Sequence, residues 1–307
     1  MILCVNANAA IDKTVVVSNF RLGQIHRPES VLAVPGGKGA NLAKGLTLLG
    51  GDPLVTGWVG GSSGDFIEQG LERMGMKTAF VHLESESRTC LSILDPTTGH
   101  MTEIYERGEP VPPDKVEELV DVFGQHVGTC EAVTMSGSLP AGVPPDFYAR
   151  LIEIAHAANV PVYLDSSGEA LRLGVAARPY LTKPNAHEFA ELAGGDAHSA
   201  HTLAHAAAEV SRRYGTIVVI SLGADGVLVA GGRKTFAVHP PRIEVKSAVG
   251  SGDCLLAGIA YGMTHGFTLA EAARYGVAAG TANALSVGPG VFDLADFRRI
   301  LAQVEIM

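Results

Sequence analysis

The sequence predicts an α/β fold, with a mostly parallel central sheet covered by helices on both faces and a small antiparallel β-sheet lid. Short apolar runs alternate with helix-period stretches along most of the 307 residues. The apolar runs are continuous, as strands buried on both faces are, and do not show the two-residue alternation of a half-exposed sheet. Two regions break this pattern by pairing strands with no helix between them, which predicts the lid. No repeat, linker or low-complexity tract divides the chain. Residues 1–307 are therefore expected to form a single domain, with the lid supplied by insertions at about 12–35 and 86–108.

The elements follow in order. Residues 2–6 form an apolar run that enters a strand at once, with no basic leader or cleavage site. Residues 14–17 and 31–34 make the first lid pair. Leu42, Leu46 and Leu49 fall at i, i+4 and i+7 and predict a helix. Residues 54–59 make the next strand, and 90–94 with 102–105 the second lid pair. Strands are also expected at 132–136, 160–165, 180–182, 217–221 and 227–230. Leu255, Leu256, Ile259, Ala260 and Met263 form one apolar helical stripe. Residues 267–307 read as two helices around Gly288-Pro-Gly290. Lid strands without covering helices leave an apolar face that needs a partner, so a homodimer through the lid is expected.

Composition excludes several classes. Hydrophobic residues make up 47% and charged residues 18%, a globular balance. A formal charge of −9 argues against nucleic acid as a partner. No apolar run reaches the roughly 20 residues that span a bilayer, so no membrane role is expected and the cytoplasm is the default location. A polyanionic substrate would have to be met by a few placed cations and backbone amides. The four cysteines are isolated, with no Cys-x-x-Cys pair. Cys4 and Cys90 read as buried thiols. Cys254 opens a helix, where a thiol pKa can fall, so alkylation of Cys254 is expected to affect activity and to be slowed by substrate.

Five polar motifs fall at strand ends, where parallel sheets bind ligands. They are Asn6-Ala-Asn8, Ser136-Gly-Ser138-Leu-Pro140, Asp165-Ser-Ser-Gly168, Lys183-Pro-Asn185 and Ser221-Leu-Gly223. Asp165 reads as a residue that holds cleft loops by hydrogen bonding. Ser247-Ala-Val-Gly-Ser-Gly-Asp253 opens directly into an apolar helix, and small residues there let backbone amides converge on an anion. Asp253 either caps that helix or orients a hydroxyl that attacks the bound phosphoryl group. Pro35-Gly-Gly-Lys38-Gly-Ala-Asn41 is either a turn before a helix or a site where Lys38 and Asn41 meet a hydroxylated ligand. It is not a Walker loop, and Leu255 stands where a dinucleotide fingerprint needs its third glycine. His198, His201 and His205 could share a helix face, but no acidic or cysteine ligand completes a zinc set, and they read as solvated surface.

With both glycine motifs in view, the chain resembles the PfkB (ribokinase-like) carbohydrate kinases. Gly36-Gly-Lys-Gly-Ala-Asn41 is similar to their first signature, and Val249-Gly-Ser-Gly-Asp253 with Ala257-Gly258 to their second. Asn185-Ala-His-Glu188 is similar to their Asn-x-x-Glu magnesium motif. The resemblance implies a three-layer ribokinase-like fold and ATP-dependent phosphorylation of a sugar hydroxyl. It implies Asp253 as catalytic base, with the amides of Gly250, Ser251 and Gly252 as the anion hole. Lys183, Asn185, Ser221, Gly223, Gly226 and Asn283 are assigned to ATP, with the helix end 280–283 beside the adenine. Asn185 and Glu188 would act on Mg²⁺ through water. Ala248 stands where the second signature commonly has threonine, which leaves monovalent-cation activation open.

Several stretches resemble the hexose-phosphate branch, the 1-phosphofructokinase and tagatose-6-phosphate kinase type. They are Val133-Thr-Met-Ser-Gly-Ser-Leu-Pro140, Asp165-Ser-Ser-Gly-Glu-Ala-Leu171 and Leu181-Thr-Lys-Pro-Asn185. A sugar phosphate needs cations that a free sugar does not. The resemblance assigns Arg27, Lys38 and Arg88 to that task, and Asp12, Gly36, Gly37, Asn41 and Ser138 to the sugar. The alternative is that Arg27 and Arg88 are ordinary solvated lid charges. The expected substrates are fructose 1-phosphate and tagatose 6-phosphate, then fructose 6-phosphate. The alternatives are a kinase of an unphosphorylated sugar or nucleoside, and a non-catalytic sugar-binding regulator.

Overall fold

The computed structural model describes residues 1–194, 200–232 and 234–307. In chain order its elements are β1 (Ile2–Asn6), β2 (Ala10–Val16), β3 (Ser30–Gly36), α1 (Lys38–Leu48), β4 (Pro53–Gly60), α2 (Gly61–Arg73), β5 (Lys77–Leu83), β6 (Arg88–Asp95) and β7 (His100–Tyr105). There follow α3 (Pro113–Val127), β8 (Ala132–Ser136), α4 (Phe147–Ala157), β9 (Val162–Asp165), α5 (Gly168–Ala176), β10 (Leu181–Thr182), α6 (Ala186–Ala193) and α7 (Ala200–Tyr214). The chain closes with β11 (Ile217–Ser221), β12 (Val227–Gly231), β13 (Lys234–His239), α8 (Ser251–Thr264), α9 (Leu269–Asn283), α10 (Leu294–Leu301) and β14 (Glu305–Ile306).

The large sheet has the order β14-β13-β12-β11-β10-β9-β8-β1-β4-β5. Every pair from β11 to β5 is parallel, and β12, β13 and β14 add antiparallel strands at one edge. The central strands β1 and β4 are buried at every position, which is why their sequences read as unbroken apolar runs. Side chains along β1 alternate between two cores. Ile2 and Cys4 join the cluster built with α1, α2, α8, α9 and α10, while Leu3 and Val5 join the one under α3, α4 and α5. A third cluster seals α6 and α7 onto β11 and β12. This is the expected α/β body with helices on both faces.

Helices α8 and α9 pack at backbone contact. A Cβ on Gly258 would lie 2.7 Å from Gly276 Cα, so no larger residue fits there without moving a helix. Leu256 and Ile259 on α8 are fully buried, each contributing about 1.5–3 kcal/mol of burial.

The second sheet has the order β3-β2-β6-β7. Both hairpins are antiparallel, as their sequences predict, and they join through a parallel β2–β6 pair. One face carries Asp12, Thr14, Cys90, Ser92, Met101 and Tyr105 and overlies Ser247, Val249, Val287 and Pro289. The other buries Val15 and Ile93 against Val17. Strands β5, β13 and β14 are additions to the expected set, and β9 begins two residues later than expected. Among the described residues, no helix is long and apolar enough to cross a membrane.

Candidate active site

The carboxyl ends of the parallel strands gather the polar motifs. At the end of β1, Asn6 is buried and donates from Nδ2 to the Gly36 carbonyl at 3.1 Å. Its Oδ1 accepts from the Gly39 amide at 3.2 Å, so one side chain fastens the glycine loop to the sheet. Gly37 caps α1 with φ +93°, a conformation that disfavours a side chain. A side chain on Gly36 would collide with the Asp12 carboxyl. Asn41 Nδ2 donates to Asp12 Oδ2 at 3.3 Å. Burial pushes the Asp12 carboxyl above the usual carboxylate range.

Asp253 lies on the first turn of α8, but Gly250 caps that helix and no side-chain cap bond is made. The capping alternative is thereby excluded. Asp253 is buried, and burial pushes its carboxyl up to about 7, against the pull of the Lys38 ammonium. A carboxylate with that affinity for protons is suited to take one from an alcohol near neutral pH. Gly250 adopts φ +81°, turning residues 248–251 so tightly that the Ser251 amide donates to the Ala248 carbonyl at 3.2 Å. Of the three amides expected to face an anion, Ser251's is therefore already engaged. Those of Gly250 and Gly252 have no acceptor among the described residues.

Asp165, fully enclosed at the end of β9, joins two lysines. Lys38 Nζ donates to Oδ1 at 3.3 Å, and Lys183 Nζ pairs with Oδ2 at 3.1 Å. Burial alone would raise the Asp165 carboxyl, but the two ammoniums outweigh it and hold it below the usual range. Lys183 Nζ also lies beside Gly252, 3.5 Å from where a Cβ would stand. The cation therefore sits at the mouth of the anion loop. Lys44, which the sequence did not single out, is buried, and desolvation lowers it to about 8. It donates to the Pro35 carbonyl at 3.1 Å.

On the other side of α8 a cavity of about 350 Å³ opens. Ser221, Gly223, Gly226, Ser251 and Gly252 are among its lining residues. Gly226 has φ +88°, and a side chain there would strike the Val238 carbonyl. The remaining walls are largely apolar: Pro240, Pro241, Ile243 and Val245 face Val277, Gly280, Thr281 and Ala284. Sequence reasoning found the helical wall but not the 240–245 wall, which carries no motif.

Several assignments change. Asn283 does not line the cavity: it is fully buried, with its amide hydrogen-bonded to backbone and side-chain groups inside the protein. Cys254 is fully buried and donates to Asn283 Oδ1 at 3.4 Å. Desolvation raises its thiol pKa, so burial overrides the helix-start effect that predicted a reactive thiol. Arg27 is exposed in the β2–β3 loop, away from the contacts that join the other sugar-side residues. Arg88 donates to the Glu106 and Asn8 carbonyls at 3.2 and 3.3 Å. Asn8 in turn donates to Ser138 Oγ at 3.2 Å. Two buried atoms in this group have no partner, Arg88 Nε and Asn41 Oδ1.

Asn185 and Glu188 cap α6 reciprocally. Asn185 Oδ1 accepts from the Glu188 amide at 2.9 Å, and Glu188 Oε2 accepts from the Asn185 amide at 2.8 Å. A backbone bridge joins Asn185 to Ser221. His198 lies outside the described residues, as does the His201 side chain. Among the described residues, no group of three His, Cys, Asp or Glu side chains could hold a metal.

Comparison with known proteins places these features in a wider group. The sequence model of the pfkB family of carbohydrate kinases matches residues 3–294. Phosphofructokinase-2 from Escherichia coli, crystallised with potassium, is 26% identical with a TM-score of 0.91, over 99% of this chain and 98% of its own. The same enzyme in complex with fructose-6-phosphate gives a TM-score of 0.89 at 26% identity, over 98% of each chain. A Thermotoga maritima protein described as a possible 1-phosphofructokinase shares the fold at 24% identity and a TM-score of 0.91, over 100% of this chain and 99% of its own.

Proposed function

The chain belongs to the pfkB family of carbohydrate kinases, and we propose that it transfers the terminal phosphoryl group of ATP to a hydroxyl of a ketohexose monophosphate, giving the bisphosphate. Fructose 1-phosphate and tagatose 6-phosphate are the leading substrates, followed by fructose 6-phosphate. The observation that carries this reading is the pair of unpartnered buried atoms beside Asp12. Arg88 Nε is a charged donor without an acceptor, and Asn41 Oδ1 is an acceptor without a donor. A buried polar atom left unpaired costs about 1–3 kcal/mol. A ligand carrying both an anionic group and hydroxyls satisfies the two at once.

In this reading Asp12 and Asn41 hold sugar hydroxyls, Arg88 meets the sugar's phosphate, and Asp253 takes the proton of the attacking hydroxyl. The Gly250 and Gly252 amides with Lys183 receive the migrating phosphoryl group, while adenine lies in the apolar cavity beside Thr281. Phosphoryl transfer needs positioning and charge neutralisation more than covalent help, and this arrangement supplies both. The second sheet roofs the sugar side. Leu22, Ile25, Val31 and Ile104 on that sheet and its β2–β3 loop are exposed, Ile25 to 97%, which supports a homodimer covering them. A monomer in sedimentation velocity at assay concentration contradicts that part.

Mg²⁺ fits the Asn185–Glu188 pair. Its donors are oxygens, suited to a hard hydrated ion, and Glu188 Oε1 is left over from the capping box. There the ion would neutralise phosphate charge.

The test is ADP release in a coupled assay with Mg-ATP across fructose 1-phosphate, tagatose 6-phosphate, fructose 6-phosphate, ribose and adenosine, repeated with Arg88→Ala. Losing one charged hydrogen bond is expected to raise KM for the sugar phosphate about 10- to 100-fold. Turnover of ribose or adenosine alone, with KM indifferent to Arg88→Ala, refutes the proposal.

A further inference from the structure

Asn283 ends α9, is fully buried, and uses its whole hydrogen-bonding capacity. Nδ2 donates to the Val249 carbonyl at 2.8 Å and to Ser251 Oγ at 3.2 Å. Oδ1 accepts from the Gly290 amide at 2.9 Å, the Val291 amide at 3.2 Å and the Cys254 thiol at 3.4 Å. One amide therefore ties the loop before α8, the first turn of α8 and the loop after α9.

Both loops border the site. A Cβ on Gly250 would lie 2.6 Å from the Gly290 nitrogen and 2.8 Å from Pro289 Cα. A Cβ on Gly290 would lie 2.6 Å from the Asn41 carbonyl and 2.8 Å from Lys44 Cε. Residues 289–290 are thus wedged between the phosphate-side glycine and Asn41, whose side chain donates to Asp12. From the geometry we infer that Asn283 is a positioning residue: it fixes the separation between the anion-binding amides of Gly250 and Gly252 and the hydroxyl-binding pair Asp12–Asn41, without touching ATP. The inference rests on the reading of residues 250–252 as the anion hole. Without the Asn283 amide, the Val249 carbonyl and the Gly290 amide lose their partner inside the protein, and the wedge can slide. A misplacement of about 1 Å between reacting groups costs on the order of 100-fold in rate.

The experiment compares wild type with Asn283→Ala and with Asn283→Asp, which keeps the volume but removes the donor. Three quantities are read per ADP-binding site, so that misfolded protein is not counted: ADP affinity, the tightening of ADP by aluminium fluoride with sugar phosphate present, and kcat. ADP affinity is expected to stay within about threefold and aluminium fluoride tightening to fall at least about tenfold, with kcat down about 100-fold. Ser251→Ala, which cuts only the 3.2 Å contact, is expected to lower kcat by about 3- to 10-fold. Wild-type kcat or undiminished tightening in both Asn283 variants overturns the inference. An equal loss of ADP affinity and kcat also overturns it, because that marks general damage to the nucleotide site. Failure of the underlying reading looks different, since wild type itself would then show no aluminium fluoride tightening.

Discussion

Replacing Asp253 with Asn should make the protein more stable and much less active, with the stability gain growing as pH rises. The buried Asp253 carboxyl has its pKa pushed up to about 7 from an ordinary 3.8. In the unfolded chain it ionises near the ordinary value. Between those two values the folded protein holds a proton that the unfolded chain has released, so wild-type stability falls as pH rises through that window and levels off above 7. At about 1.4 kcal/mol per pH unit, the full cost of carrying the ionised group is about 4 kcal/mol, and about 2–3 kcal/mol of it accrues between pH 5 and 8. Asn carries no charge and escapes this cost. Urea unfolding of both proteins at pH 5 and 8, without substrates, reads the difference directly: the advantage of Asp253→Asn should widen by about 2–3 kcal/mol. Its kcat should fall by about 100- to 10,000-fold, the usual contribution of a general base. Wild-type kcat/KM should rise with pH along a limb whose apparent pKa lies near 7, because that ratio reports the free enzyme. Wild-type turnover in the variant, or a stability difference that is the same at both pH values, would show that Asp253 is neither the base nor a strained buried carboxyl.

Two further outcomes follow from the same geometry. Glu188→Gln keeps an acceptor for the Asn185 amide, so the α6 cap survives while the charge is lost; the Mg²⁺ concentration for half-maximal activity should rise about tenfold or more, with thermal stability little changed. Cys254, buried with a raised pKa, should resist iodoacetamide in native protein and label only in denaturant, as read by mass spectrometry of the peptide carrying it. Fast native labelling that substrate slows would restore the reactive thiol expected from its place at a helix start.

The sequence made legible whatever repeats with a period or carries a dense motif. Strands β1, β4, β8 and β11 were readable because burial on both faces leaves unbroken apolar runs. Strand β5 is only partly buried and β14 is two exposed residues at a sheet edge, so neither carries that signal. The 240–245 wall of the cavity was invisible for a different reason: it is shaped by where the chain runs after β13, not by periodicity. The family resemblance implied that the helix end 280–283, Asn283 included, lies beside adenine. The wall residues Val277, Gly280, Thr281 and Ala284 follow the i, i+3, i+4, i+7 stripe of α9, and Asn283 falls outside it. Helical spacing alone could have corrected that assignment. The pairing of Asp165 with both Lys38 and Lys183 had no such signal, since three strand ends must converge before it exists.

That convergence explains how a chain with a formal charge of −9 can receive polyanions. Two ammoniums share the single Asp165 carboxylate, so positive charge exceeds negative within that cluster at the mouth of the anion loop. Asp253, whose carboxyl burial pushes up to about 7, repels an incoming phosphate less than an ordinary carboxylate does. Asp165 first and Asp253 after it push the Lys38 ammonium above its ordinary range. The overall negative charge is therefore compatible with anion binding, because exposed charges farther than about a Debye length are screened by solvent and salt. Within the site, the same desolvation that makes Asp253 costly to ionise gives it the proton affinity an attacking hydroxyl requires. Moving Lys38 away would raise that affinity further while weakening the hold on phosphate, so the two halves of the chemistry constrain the position of one lysine in opposite directions.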